Sequence, residues 1–239
     1  TQGALMIVDS TVDRNRPAIN HIRSGGGLYA RDTRVTLKNT LFSNNSLDGV
    51  NVCVGGALYL SGGQAWIESC TFATNGMTVN NGGHHGGALY AGGTAPLTLT
   101  NCTFIGNGVR TGTGSALSLA GAALRAKILD CRILNNTPSG NLGDDVYLNG
   151  AGSVLFQNSL IGFGSRSGIN QAGAASVLGL TNCLVYGQTN HGVAASAGAV
   201  SIGNCTFTQN RGWGVTNNGG TVSILNSILW SNGLGGGSG

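Results

Sequence analysis

One pattern of apolar and polar positions recurs nine times along the chain. It opens on alternating apolar residues, as in Val35/Leu37, Leu97/Leu99, Val154/Phe156, Leu178/Leu180, Val200/Ile202 and Val222/Ile224. A period of two marks a strand with one face turned inward. Two residues later stands Asp9, Asn39, Ser69, Asn101, Asp130, Asn158, Asn182, Asn204 or Asn226. Asn and Asp tolerate the left-handed backbone of a sharp bend, and stacked amides can form a hydrogen-bonded ladder. The next column is small and expected inward: Ser10, Thr40, Cys70, Cys102, Cys131, Ser159, Cys183, Cys205 and Ser227. Then comes an apolar column of Val12, Phe42, Phe72, Phe104, Ile133, Ile161, Val185, Phe207 and Leu229, which reads as a core stack. A second polar turn column closes the segment, with Asn15, Asn45, Asn75, Asn107, Asn136, Asn210 and Asn232.

A further strand follows after a variable loop, in Gly26–Ala30, Gly55–Leu60, Gly86–Ala91, Gly114–Leu119 and Asp144–Leu148. Leu58/Leu60, Leu117/Leu119 and Val146/Leu148 are its inward pairs. Alternation then places Tyr29, Tyr59, Tyr90 and Tyr147 outward. The repeat shortens from about 30 residues early in the chain to 22 at the end. A coil of about 22 residues is one turn of a three-stranded β-helix. The pattern therefore predicts an all-β fold, a parallel β-helix solenoid of about nine coils with three short strands per coil. Residues 1–233 form a single domain in this reading, and 234–239 a Gly/Ser-rich tail or linker. The extra residues of the early coils, 16–25, 46–54, 76–85 and 108–113, should emerge on one edge, because insertions in a solenoid map to one face.

Composition sharpens this picture. Glycine supplies 43 of the 239 residues, proline three, and charged residues 8%. Frequent glycine disfavours helices, and the low charge with 41% apolar residues is unlike a disordered chain. The apolar runs are too short to span a bilayer, so no direct membrane insertion is expected. The net charge is +4, and half of the basic residues precede position 40. This reads as a basic end of a neutral solenoid, without the basic stripe and interleaved aromatics of a nucleic-acid binder.

Candidate chemistry is sparse. Only eight acidic residues are present, and Asp144-Asp145 is the one tight pair. Neighbours on a strand point to opposite faces, so at most one of the two can face a ligand, and no catalytic residue is assigned. His84-His85 lies in a glycine-rich loop and could meet His21, but zinc wants three or four convergent ligands. Solvated loop histidines are the expectation, with no metal and no cofactor. Five of the six cysteines, Cys70, Cys102, Cys131, Cys183 and Cys205, share one structural column and are expected as buried thiols. Cys53 lies in an insertion loop with no evident partner. The polar turn column with Asn39, Asn101, Asn158, Asn182, Asn204 and Asn226 is read as a structural ladder. Thr71, Thr103 and Thr206 are interrupted by Leu41, Arg132, Leu160 and Leu184, so no regular ice-binding threonine array forms. The tyrosine column is the candidate contact surface, since tyrosine offers amphipathic contact area for sugars or proteins. Ring stacking that merely stabilises the sheet is the competing explanation.

Two signatures carry a family resemblance. Gly55-Gly-Ala-Leu58 and Gly86-Gly-Ala-Leu89 form one; Phe42–Asn45, Phe72–Asn75, Phe104–Asn107 and Phe207–Asn210 form the other. Together they resemble the passenger repeats of chlamydial polymorphic outer-membrane proteins. They are also similar to secreted bacterial β-helix proteins with the choice-of-anchor Q domain, where a segment like Asn226–Asn232 is common. The resemblance implies a right-handed helix, outside the cell or at the bacterial surface, with a structural or adhesive role. A pectate-lyase-like polysaccharide-binding or polysaccharide-cleaving protein is the alternative. The expected partners are a host or cell-surface protein or glycan, or a second copy stacked on an uncapped solenoid end to make filaments.

Overall fold

The computed structural model describes residues 3–17, 24–48, 52–77, 83–93, 96–136 and 143–233. The Gly/Ser-rich tail, His21 and parts of the insertion loops lie outside the described residues. All strand pairing along the three long sheets is parallel and in register from coil to coil. Nine strands, from Gly3–Val8 to Thr221–Leu225, form the first sheet. Nine shorter ones, from Thr11–Asp13 to Ile228–Trp230, form the second. Eight, from Leu28–Arg31 to Val215–Asn217, form the third. The architecture is the predicted β-helix with three strands per coil.

The bends follow from residue chemistry. Asp9, Asn39, Ser69, Asn101, Asp130, Asn158, Asn182, Asn204 and Asn226 all have φ between 46° and 54°. That left-handed turn joins the first sheet to the second and is least costly for Asn and Asp. In this outer column side chains hydrogen-bond from coil to coil. Asn39 donates to Asp9 at 3.0 Å, Asn101 to Ser69 at 3.1 Å, Asn158 to Asp130 at 3.1 Å and Asn182 to Asn158 at 3.3 Å.

The second polar column does something different from the expected turn. The left-handed residue is the one before it, as at Asn44, Thr74 and Asn135. That φ swings the following asparagine inward, and Asn45, Asn75, Asn107, Asn136 and Asn210 are buried. Asn45 Nδ2 donates to Asn75 Oδ1, Asn75 Nδ2 to Asn107 Oδ1 and Asn107 Nδ2 to Asn136 Oδ1, at 2.9–3.0 Å. Each amide also donates to a backbone carbonyl one coil earlier, such as Phe42 O from Asn75 at 2.9 Å. A second, buried axial ladder of asparagines therefore runs inside the solenoid.

Beside it the core is columnar. Phe42, Phe72 and Phe104 stack with ring centroids 5.0 and 4.7 Å apart. The cysteine column is buried as expected, and all six cysteines are free thiols. Each thiol of the column turns back to a carbonyl of its own coil, as Cys131 Sγ does to Leu129 O at 3.2 Å.

The described parts of the insertions gather on one edge, where they build structure of their own. Ser46–Leu47, Gly76–Met77 and Gly108–Val109 form a three-stranded ribbon, and His84–His85 pairs with Gly112–Thr113. Leu47, Cys53, Met77 and Val109 close a second small core under it. The first glycine of each pair, Gly55 or Gly86, has φ of 69° or 71°. A Cβ on the second would meet the next coil's carbonyl and the ribbon, Gly56 against Gly87 O and Gly76, Gly87 against Ser115 O and Gly108. After the ribbon ends, the same column admits side chains: Ser115, Asp144, Ser167, His191 and Trp213.

Candidate functional surface

The tyrosines project from the outer face of the third sheet. Tyr29 pairs with Tyr59 and Tyr59 with Tyr90 in register. Their rings are stacked, with centroids 4.9 and 5.4 Å apart and planes within 6°. These distances match the spacing of coils, so the ring normals run along the solenoid axis. Tyr59 has both ring faces covered, by Tyr29 and Tyr90. A sugar ring stacks on an aromatic face, and Tyr29, 52% exposed at the start of the ladder, has one to offer. The column is therefore a ridge of phenol edges rather than a flat platform. Burial and the neighbouring Tyr59 raise the Tyr90 phenol above its usual range, so its hydroxyl stays neutral.

The next position in this column is Ser118, followed by Tyr147. The His85 ring lies parallel to Tyr147 at 5.9 Å, and its Nδ1 is 2.7 Å from Thr113 Oγ1. Ser118 is buried. Burial, and His84 beside it, lower the basicity of His85. His84 itself is fully buried and its Nδ1 accepts the Cys53 N–H at 3.0 Å. The expectation of solvated loop histidines is thus corrected: the ribbon folds over them. Cys53, read as partnerless, sits in the ribbon's own core. Nothing in the linear pattern marks these contacts, because they depend on how the insertion loops return to the sheet.

The acidic pair is also placed differently from a catalytic dyad. Asp144 and Asp145 are both fully buried. Asp144 accepts the Ser167 N–H at 3.1 Å and Asn170 Nδ2 at 2.8 Å, and Arg166 Nε lies 3.9 Å away. Asp145 accepts Gln188 Nε2 at 3.0 Å. Neither carboxylate faces an open cleft. No cluster of three or more metal-type ligands occurs among the described residues.

The outer face of the first sheet carries a different feature. Trp66 is 44% exposed and lines a hollow of about 140 Å³ with Glu68, Thr98 and Thr100. Lys127 follows Thr98 in the same column. Sequence reasoning did not single out this tryptophan, since its column, Met6, Thr36, Thr98, Lys127, Leu155, Gly179, Ser201 and Ser223, has no repeat signature.

The family described as right handed beta helix region matches residues 1–140 and 115–238, which together cover nearly the whole chain. The chain belongs to that family. No curated protein and no solved structure matches it. Within this right-handed β-helix the inner columns are conformational devices. Among the described residues, the tyrosine ridge and the Trp66 hollow are candidate contact surfaces. In the outer columns of the last described coil, Leu225, Ile228 and Trp230 are 60–66% exposed.

Proposed function

We propose that this right-handed β-helix is a non-catalytic structural or adhesive module of a bacterial surface or secreted protein. The observation that carries the reading is the inward use of the polar groups. The asparagine ladder and both members of the one acidic pair serve the interior. The outer columns mix hydroxyl, aliphatic and aromatic residues with scattered charges such as Lys38, Glu68, Lys127 and Arg132, a surface suited to contact. Similarity of the Gly-Gly-Ala-Leu and Phe-x-x-Asn signatures to chlamydial polymorphic outer-membrane proteins and choice-of-anchor Q proteins agrees with an extracellular site. Self-assembly of such modules end to end into filaments is part of this proposal. Electron microscopy and light scattering test this: concentration-dependent rods support assembly, and a monodisperse monomer at high concentration counts against it.

One observation favours the polysaccharide alternative in its binding form. The half-exposed Trp66, with Thr98, Thr100 and Glu68 around it, has the aromatic face and hydroxyls of a sugar subsite. A glycan array on wild type and Trp66→Ala separates the readings. Binding lost in the variant supports a sugar site there. Release of cleavage products from an acidic polysaccharide would overturn the non-catalytic reading.

A further inference from the structure

The buried asparagine ladder is interrupted at one coil. In the register of the second sheet Asn136 is followed by Gly164, then Gln188 and Asn210. Gly164 has no amide to continue the ladder. The space is taken from the start of the third sheet by Asp145. At that column other coils carry Gly27, Ala57, Ala88, Ala116, Gly168, Gly192 and Gly214. Asp145 Oδ2 lies against the position where a Gly164 Cβ would stand. It accepts Gln188 Nε2–H at 3.0 Å, while Gln188 Oε1 accepts the Gly164 N–H at 2.9 Å. Asp145 is wholly buried and its Oδ1 has no hydrogen-bond partner among the described residues.

An ionised carboxylate is acceptor-only and seeks several donors. One neutral amide does not offset the cost of burying the charge. The charged groups nearby do not help. Asp144, the preceding residue, is buried and adds repulsion. Arg166, from the next coil, is directed at Asp144. His191, one coil further on, is kept below its usual basicity by burial, so it supplies little positive charge at neutral pH. Gly164, Gln188 and Asn136, at the ladder corner, are neutral.

We propose that Asp145 is a protonated carboxylic acid in the folded protein and that its ionisation is a pH switch, loosening the solenoid between the coil of Val146 and the coil of Ile169. The proton removes the buried charge and lets the side chain stand in for the missing ladder amide. Burial pushes the carboxyl well above its ordinary range, and Asp144 pushes it the same way. The folded state then holds a proton that the unfolded state, with a carboxyl near about 3.9, has released. Stability from this group is full below that value. It declines as pH rises toward the folded pKa, by about tenfold in the folding constant per pH unit.

The test compares wild type with Asp145→Asn by urea unfolding from acid to alkaline pH. The variant keeps the shape and cannot ionise. The expected result is a gap in its favour that widens by about tenfold per pH unit over the window, with faster amide exchange around Gly164–Gln171 in the wild type at alkaline pH. A gap that does not change with pH overturns the proposal. Infrared spectroscopy of the wild type supplies an independent reading should the variant not fold. A neutral-carboxyl band at neutral pH that persists in Asp144→Asn supports the proposal, and absence of any such band in the wild type overturns it.

Discussion

Asn75 Nδ2 donates to Asn107 Oδ1 at 2.9 Å, and the same Oδ1 accepts the Asn75 backbone N–H at 2.9 Å. Each buried asparagine thus receives two donors from the coil before and returns its own amide to the chain. Asn75→Ala should orphan the Asn45 N–H and Nδ2–H and the Phe42 carbonyl, all in a dry interior. A loss of about 2–4 kcal/mol is expected, at about 1–3 kcal/mol for each buried group left unpaired. Urea unfolding measures it. Asn15→Ala, at the partly exposed first rung, should cost less, and equal losses would argue against the ladder as the source.

The repeat columns were legible in the sequence because each inner position tolerates few residue types. Phe42, Phe72 and Phe104 needed only the period to be read as a stack, and Asn39 and Asn101 announced a left-handed bend. Asn75 was harder. Asparagine is common at exposed turns, and only the φ of Thr74 decides that the amide points inward. The site was less legible still. His85 stacks on Tyr147, and Asp145 reaches Gln188, 43 residues away in the chain. Such contacts depend on loop paths that carry no periodicity.

The tyrosine ridge makes a separable prediction. Tyr59 lies between Tyr29 and Tyr90, so Tyr59→Ala breaks two stacked pairs. At about 0.5–1.5 kcal/mol for each aromatic pair, the loss should be about 1–3 kcal/mol. Tyr59→Phe keeps the ring and should stay within about 0.5 kcal/mol of wild type. If Tyr59→Phe nevertheless abolishes adhesion to a glycan or protein in a surface-binding assay, the ridge acts through its hydroxyl edge. Loss of adhesion only in the alanine variant points to the scaffold.

The cysteine column should be chemically silent in the folded state. Burial pushes the Cys70 thiol up to about 11, whereas the hydrogen bond with Cys183 lowers Cys205 to about 7. Reaction with a disulfide reagent requires both the thiolate and access, so it is the lack of access that protects the column. All six thiols are buried. Ellman titration should therefore find almost no fast thiol in native buffer and six after denaturation. Fewer than six after unfolding without reductant would reveal a disulfide, and rapid native labelling would mean that the column opens.

The break in the asparagine ladder can be repaired on paper, and the repair defines the last prediction. Gly164 lies outside the left-handed region, so its backbone admits a side chain, yet Asp145 and Gln188 occupy the space. Gly164→Asn alone should destabilise, because an added side chain meets a carboxyl and an amide already in place, at about 1–3 kcal/mol for overpacking. Asp145→Ala alone should leave Gln188 Nε2 without its acceptor and open a void where the carboxyl stood. Together they place an asparagine in the ladder column and an alanine in the corner column, the combination found at Asn75 with Ala57 and at Asn107 with Ala88. The double variant should then be more stable than the sum of the single losses, with an interaction energy of about 0.5–3 kcal/mol in a double-mutant cycle. Strict additivity would mean that Asp145 does not substitute for the missing rung, because residues that share one space cannot be independent.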